Sequence, residues 1–533
     1  MNKFLYMAFC ALFVAAAHAQ VAGVEQAPQF RWKPMPPLQW KVVGGAKIVN
    51  GILTASCQEP GTAYASAELD LSEYDEKAVE IAVVAEGRDV GDKQVPHGGF
   101  DFCVSYLDVK MGGNRTWPSG PKPVGTFGPA EIVFTDRSEK IRGKPILQLG
   151  LNQARGEVRF DLSTLRVREP QPLVAPRNRG RVVNYPERVS DMPIQRGVVC
   201  GNIESWKTRQ LGGEAWDTLA AWGANILRYH MVLPRNEGGS AQDFEAYAER
   251  YRAAMEPQLD VVETLLDDAH ARGVKVVLAG QPVGGGCSAA AGDPPSWQGD
   301  NRMFHDRRYA DLFVWYWEQV AKRFAGRSDD IYGYDLVNEA HHLSPAIEDG
   351  DLVSLMERTA RAIRAIDPDA TIIVESMYGD PGWFRSLSAI DLDNVIYSVH
   401  VYYPHDFTHQ GIYDENAEVC KWPDESRGWN REFIRKSLKP VLDFQREHKC
   451  RIFVGEFSAV SWAEGADGYI RDCIALFEEF GWDWVYHSWR EWRGWNVEFA
   501  GDSLATLHRV GDTPRKRALL DGLNGRDAPA ARP

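Results

Sequence analysis

An excess of positive charge is missing from this chain. Its 60 basic residues are outnumbered by 74 acidic ones, for a formal charge of −14. Nucleic acid and anionic lipid both demand concentrated positive charge, so neither is expected as a partner. Membrane-spanning length is missing too. The apolar run Phe4–Ala17 is shorter than the roughly 20 residues that cross a bilayer. With Lys3 before it and Ala17-His18-Ala19 as a small-residue cleavage site after it, the run reads as a secretory signal. The expected product is exported, secreted or periplasmic, with no membrane attachment after cleavage. No C-x-x-C pair suggests zinc, and His405 and His409, four apart, lie in a Pro/Asp-containing stretch, so no metal site is expected. Cysteine is sparse. Once Cys10 leaves with the signal, the remaining Cys57, Cys103, Cys200, Cys287, Cys420, Cys450 and Cys473 are odd in number, which leaves at least one thiol unpaired in a monomer. There is also no G-x-G-x-x-G after a strand, which disfavours an open dinucleotide-binding sheet.

What is present divides into two grammars. Residues 20–39 are a Pro-rich lead-in. From 40 to 169 short alternating runs such as Ala78–Val84, Glu131–Phe134 and Glu157–Asp161 are separated by Gly, Pro and Asp, which predicts an all-β jelly-roll-like sandwich. Residues 170–194, with five prolines, read as a linker. From 195 to 525 strand and helix patterns alternate. Strand cores are predicted at Gly197–Gly201, Asn225–Met231, Val274–Ala279, Ile331–Asn338, Thr371–Glu375, Val395–Tyr402, Arg451–Glu456 and Trp484–Trp489. Amphipathic segments such as Arg308–Phe324, Leu352–Ile366 and Phe433–His448 lie between them. Eight such units predict a closed (β/α)8 TIM barrel, with 526–533 as a disordered tail.

Two of the predicted strands deliver a glutamate at their C-terminal ends: Tyr334-Asp335-Leu336-Val337-Asn338-Glu339 and Arg451-Ile452-Phe453-Val454-Gly455-Glu456. A β/α barrel places its reacting groups at that end. Strands four and seven lie nearly opposite, so both carboxylates can face one cleft. Paired carboxylates across one mouth are the equipment for glycosidic-bond cleavage, one attacking the anomeric carbon and one protonating the leaving oxygen.

Several motifs in the barrel segment carry a resemblance. Gly197-Val198-Val199-Cys200-Gly201-Asn202, Arg228 in Ile226-Leu227-Arg228-Tyr229, Asn338-Glu339, His400-Val401-Tyr402 and Gly455-Glu456-Phe457 occur in the order seen in glycoside hydrolase family 5, which residues 197–498 resemble. The resemblance implies Glu339 as acid/base, Glu456 as nucleophile, and Arg228, Asn338, His400 and Tyr402 as substrate-contacting or supporting groups. It also implies a sugar platform on the eighth strand, for which Trp489 is the candidate. One departure stands out: Gln281 occupies the place of the family's third-strand histidine. A glutamine exchanges hydrogen bonds but cannot become cationic.

These features together predict a retaining, endo-acting hydrolase of a β-1,4-linked glucan such as cellulose, mixed-linkage glucan or xyloglucan. The implied chemistry needs no cofactor. Alternatives are a β-mannanase, an exo-β-glucosidase, or a secreted protein that only binds carbohydrate. The partner is a polysaccharide or oligosaccharide, and a monomer is expected. Trp206, Trp297 and Trp383 are candidates for outer subsites, and Trp32, Trp40, Tyr106 and Trp117 for sugar binding by the sandwich.

Overall fold

A computed structural model describes residues 30–74, 77–91, 99–108, 114–116, 123–136, 144–170, 193–200, 213–231, 244–280, 302–342, 346–347, 350–412 and 418–525. The signal segment, most of the linker and Gln281 therefore lie outside the described residues. The chain forms two compact units, dividing at Gln171/Pro172.

The first unit is an antiparallel nine-stranded sheet. Its two longest strands, Ile52–Glu68 and Ile146–Arg168, pair along most of their length, with register shifts around Cys57, Gly61 and Ala63. Alternate residues of these strands, with Phe100, Phe102 and Phe134, make its core. Two aromatics considered for sugar binding are otherwise occupied. Tyr106 is buried and donates its hydroxyl to Asp136 at 3.1 Å. Trp32 lies under the guanidiniums of Arg168 and Arg166, 4.2 and 5.0 Å from the ring centre. Trp40 packs, half-buried, on the core, and Trp117 lies outside the described residues.

The second unit is the barrel. Its strands are Arg196–Cys200, Ile226–Met231, Lys275–Gly280, Ile331–Asp335, Ile372–Glu375, Val395–Val401, Arg451–Phe457 and Asp483–Tyr486, and the first pairs with the eighth to close the sheet. Every pairing is parallel. Several helices begin where the sequence supplies an acceptor for orphan N–H groups. Asp306 caps Arg307–Phe324, and Asp351 caps Leu352–Ile366 through the N–H groups of Val353 and Ser354. The predicted helix Phe433–His448 is two, Arg431–Ser437 and Lys439–His448, because Pro440 cannot donate and so starts a helix rather than continuing one.

Inside the barrel, side chains stack in layers. Each strand gives one side chain to a middle ring: Val199, Ile226, Val277, Tyr332, Ile373, Ile396, Phe453 and Val485. Beneath it, Asp483 accepts from the Gln195 backbone N–H at 2.7 Å and from Arg451 at 2.6 Å, and also bonds the Tyr332 hydroxyl. Above it several strands turn polar side chains inward, among them Arg228, Glu375, Ser398 and Glu456.

Two strands stop earlier than their sequence suggests. The fourth ends at Asp335, so Asn338 and Glu339 stand on the turn beyond it. The eighth ends at Tyr486, so the alternation that would carry Trp489 to the mouth no longer applies.

Candidate active site

Arg228 organises the polar layer. It sits two residues above Ile226 on the second strand, fully buried, and all five of its N–H donors are spent. Nε donates to Asp335 at 2.8 Å. Nη1 donates to Glu456 Oε1 and to His230 Nε2, each at 2.9 Å, and Nη2 to Glu375 at 2.8 Å and Asn338 Oδ1 at 2.9 Å. Because the Asn338 carbonyl faces a pure donor, its NH2 group is turned away from Arg228.

Glu456 lies within the seventh strand. Its Oε2 accepts from the Tyr402 hydroxyl at 2.9 Å and lies 3.4 Å from His487 Nδ1. Gly455 is the extra residue at a register shift against the sixth strand. A Cβ there would come within 2.7 Å of Ser398 Oγ and 2.9 Å of His400 Nε2, and one on Gly379 within 2.7 Å of His400 Cγ. The His400 ring is thus cradled between two glycines. Its Nδ1 lies 2.7 Å from Glu339 Oε1 and its Nε2 3.2 Å from Glu375 Oε1.

Glu339 adopts a left-handed backbone, φ 48°. Its side chain is 40% exposed, against 7% for Glu456. Glu339, His400 and Glu456 each offer an atom within 4.8 Å of the others. Such a trio could hold a cation, but all three atoms already serve one another and Tyr402 or Arg228.

The electrostatics push the two glutamates apart. Burial raises Glu456, but His487, His400 and Arg228 outweigh it and hold the carboxyl far below its ordinary range. Glu339 is raised by burial and by the charges of Glu456 and Glu375, despite His400 beside it. Burial opposes the charging of His400, yet Glu375, Glu456 and Glu339 raise it well above an ordinary histidine. His487 is raised against burial by Glu456 and Glu491. His230 goes down through burial and Arg228, as befits a neutral ring whose Nε2 accepts from that guanidinium.

The structure brings together Arg228, Asn338, Glu339, His400, Tyr402 and Glu456. It corrects the placement of Trp489. That indole is 1% exposed, packed edge-on to Trp222 at 6.3 Å, and has no face open to a sugar. Just beyond the end of the eighth strand stands His487, with Nδ1 2.8 Å from the Tyr402 hydroxyl and Nε2 3.3 Å from Glu491. Sequence reasoning missed it, as it missed His230, which alternation from Arg228 along the second strand would have found. Glu375 and Asp335 both bind Arg228. Gln281, Trp206 and Trp297 lie outside the described residues, and Trp383 is half-buried in the turn Pro381–Arg385. His405 and His409 stack on each other at 3.9 Å, and His409 also meets Tyr402 and Trp495. The described cysteines, Cys57, Cys103, Cys200, Cys420, Cys450 and Cys473, form no disulfide.

A closed barrel with two opposed carboxylates at its C-terminal mouth defines a class that comparison narrows. Residues 190–492, more than half of the chain, match the cellulase family, glycosyl hydrolase family 5, and the chain belongs to it. Endoglucanase C of Acetivibrio thermocellus is 29% identical over 207 residues, 33% of this chain and 59% of that protein, so the match spans less than two thirds of this relative. Cellodextrinase A of Ruminococcus flavefaciens is 25% identical over 257 residues, 47% of this chain and 69% of that protein. The crystal structure of a glycoside hydrolase aligns at 23% identity with a TM-score of 0.48, over 63% of this chain and all of the other.

Proposed function

We propose that the protein is a retaining glycoside hydrolase that cleaves β-1,4-linked glucan internally by double displacement. The observation that carries this reading is the pair Glu339 and Glu456, whose facing oxygens lie within 4.8 Å, one carboxyl pushed far below and the other pushed above its ordinary range. Retaining enzymes keep their carboxyls about 5 Å apart, whereas inverting ones leave about 6.5–9.5 Å for a water. Glu456 attacks the anomeric carbon while Glu339 gives its proton to the departing glycosidic oxygen. Covalent capture neutralises Glu456 and removes one of the charges that raised Glu339, which then accepts a proton from the water that cleaves the ester. The Asn338 NH2, turned away from Arg228, is placed to donate to the sugar's 2-hydroxyl. The names of the relatives, an endoglucanase and a cellodextrinase, support β-glucan as the backbone, and the second favours short cello-oligosaccharides as a further substrate. Export of the chain behind Phe4–Ala17 belongs to the same reading.

The test is reducing-sugar release from cellulose, barley glucan, xyloglucan, mannan, xylan and cello-oligosaccharides by the protein and its Glu456→Gln variant. Release by the native protein with the variant down at least about 10⁴-fold is expected. Equal activity of the two would overturn the assignment. Release from mannan alone would move the backbone, and silence on every substrate would favour a binding protein.

A further inference from the structure

We propose that Glu375 is the positioning residue of the acid/base glutamate, holding Glu339 in its working backbone conformation and tying it to Arg228 and His400. The proposal rests on the reading of Glu339 as acid/base.

Glu339 does not stand on a strand. It lies four residues past Asp335, the last residue of the fourth strand, in the left-handed region that strains a residue with a Cβ. Such a conformation persists only where neighbours over-determine it. Asn338 N–H is taken by the Gly280 carbonyl at 2.9 Å, and Tyr378 N–H reaches the Ala340 carbonyl at 3.3 Å. The N–H of Glu339 itself goes to Glu375 Oε2 at 2.7 Å. The other oxygen of the same carboxylate accepts from Arg228 at 2.8 Å and lies 3.2 Å from His400 Nε2.

Glu375 ends the fifth strand, two residues above Ile373 in the apolar ring, and its side chain is 1% exposed. A buried position facing the Arg228 guanidinium and the Glu339 N–H, with the His400 ring alongside, calls for a side chain that offers two acceptor oxygens, which a carboxylate supplies. Balancing Arg228 does not by itself explain this group, because Asp335 and Glu456 already pair with that guanidinium. What Glu375 adds is the bond to Glu339 N–H. Through it a rigid strand fixes the reach of the side chain that delivers the proton to the leaving oxygen.

The experiment compares kcat/KM for Glu375→Ala, Glu375→Gln and Glu339→Ala on two β-cellobiosides that differ only in the aglycone. One is a sugar, which needs a proton to leave, and the other is 2,4-dinitrophenolate, which does not. An acid acting in the first step contributes roughly 10²–10⁴-fold. Glu375→Ala is expected to lose about 10²-fold or more on the sugar aglycone and under about 10-fold on the activated one, in the pattern of Glu339→Ala. Glu375→Gln, which keeps one carbonyl for the Glu339 N–H, is expected to recover part of that loss. If Glu375→Ala does not fold, the Gln variant carries the same comparison. Equal losses on both substrates in the folded Glu375 variants, beside a selective loss in Glu339→Ala, would overturn the positioning role and leave a merely structural one. Equal losses in Glu339→Ala itself would instead bring down the acid/base assignment.

Discussion

Single residues in this site are bound so that few can change alone. Arg228 spends five donors on five partners within a buried cluster. Arg228→Ala strands Asp335, Glu375 and Glu456 without their cation, and breaking a buried pair costs about 3–5 kcal/mol. Urea unfolding is expected to register that loss. The titrations set the pH response. The proposed mechanism needs Glu456 ionised, which fails as pH falls through its depressed value, and Glu339 protonated, which fails as pH rises through its elevated one. The kcat/KM profile is therefore a bell whose acid limb lies below the ordinary carboxylate range and whose alkaline limb lies above it. His487→Gln removes the first of the charges depressing Glu456 and is expected to move the acid limb upward. Stability follows another sign. The raised His400 contributes fully below the unfolded value of about 6.5, and its contribution is lost as pH rises through the folded one. Much of this was legible in sequence, because Arg228, Asn338, His400, Tyr402 and Glu456 each sit in a short motif. The left-handed backbone of Glu339 was not, since nothing in Asn338-Glu339 announces where its strand stops.

Elements show where periodicity carries and where it ends. Leu352–Ile366 has the same bounds in sequence and structure because Asp351 caps it and its apolar face is regular. The eighth strand was extended too far. Trp484 to Trp489 is rich in aromatic residues at both ends, and a run of that kind does not mark the residue at which pairing ceases. Trp489 was the platform candidate because the resemblance implied one on the eighth strand and the predicted strand ran to it, whereas pairing stops at Tyr486. The bulge at Gly455 is a junction between elements in the same sense. It lets Glu456 and His400 come level across two strands and leaves room for the imidazole. Gly455→Ala forces a methyl against His400 and Ser398, and overpacking of this kind costs about 1–3 kcal/mol. The expected result is a lower midpoint of thermal unfolding together with a fall in kcat, because His400 must move away from Glu339.

At the scale of the whole molecule, the change from alternating runs to strand–helix repeats marked the two units, and their apolar cores form separate clusters. The first unit's role was less legible, because composition cannot separate a ring on the surface from one in the core, as Tyr106 shows. A truncated chain beginning at Pro172 contains every residue assigned to the site. It is expected to fold and to keep kcat/KM on a soluble glucan within a few-fold of the full protein, as a parallel reducing-sugar assay would show.

The ring of eight apolar side chains across the barrel has a consequence for traffic. It plugs the axis above the Asp483–Arg451 floor. In the proposed double displacement, each proton that Glu339 lends and recovers, and the water that ends the cycle, would enter by the mouth that also admits the sugar. The departing half of the cut chain would then have to clear that opening before the resolving water arrives, so product departure and acid recharging would share one queue.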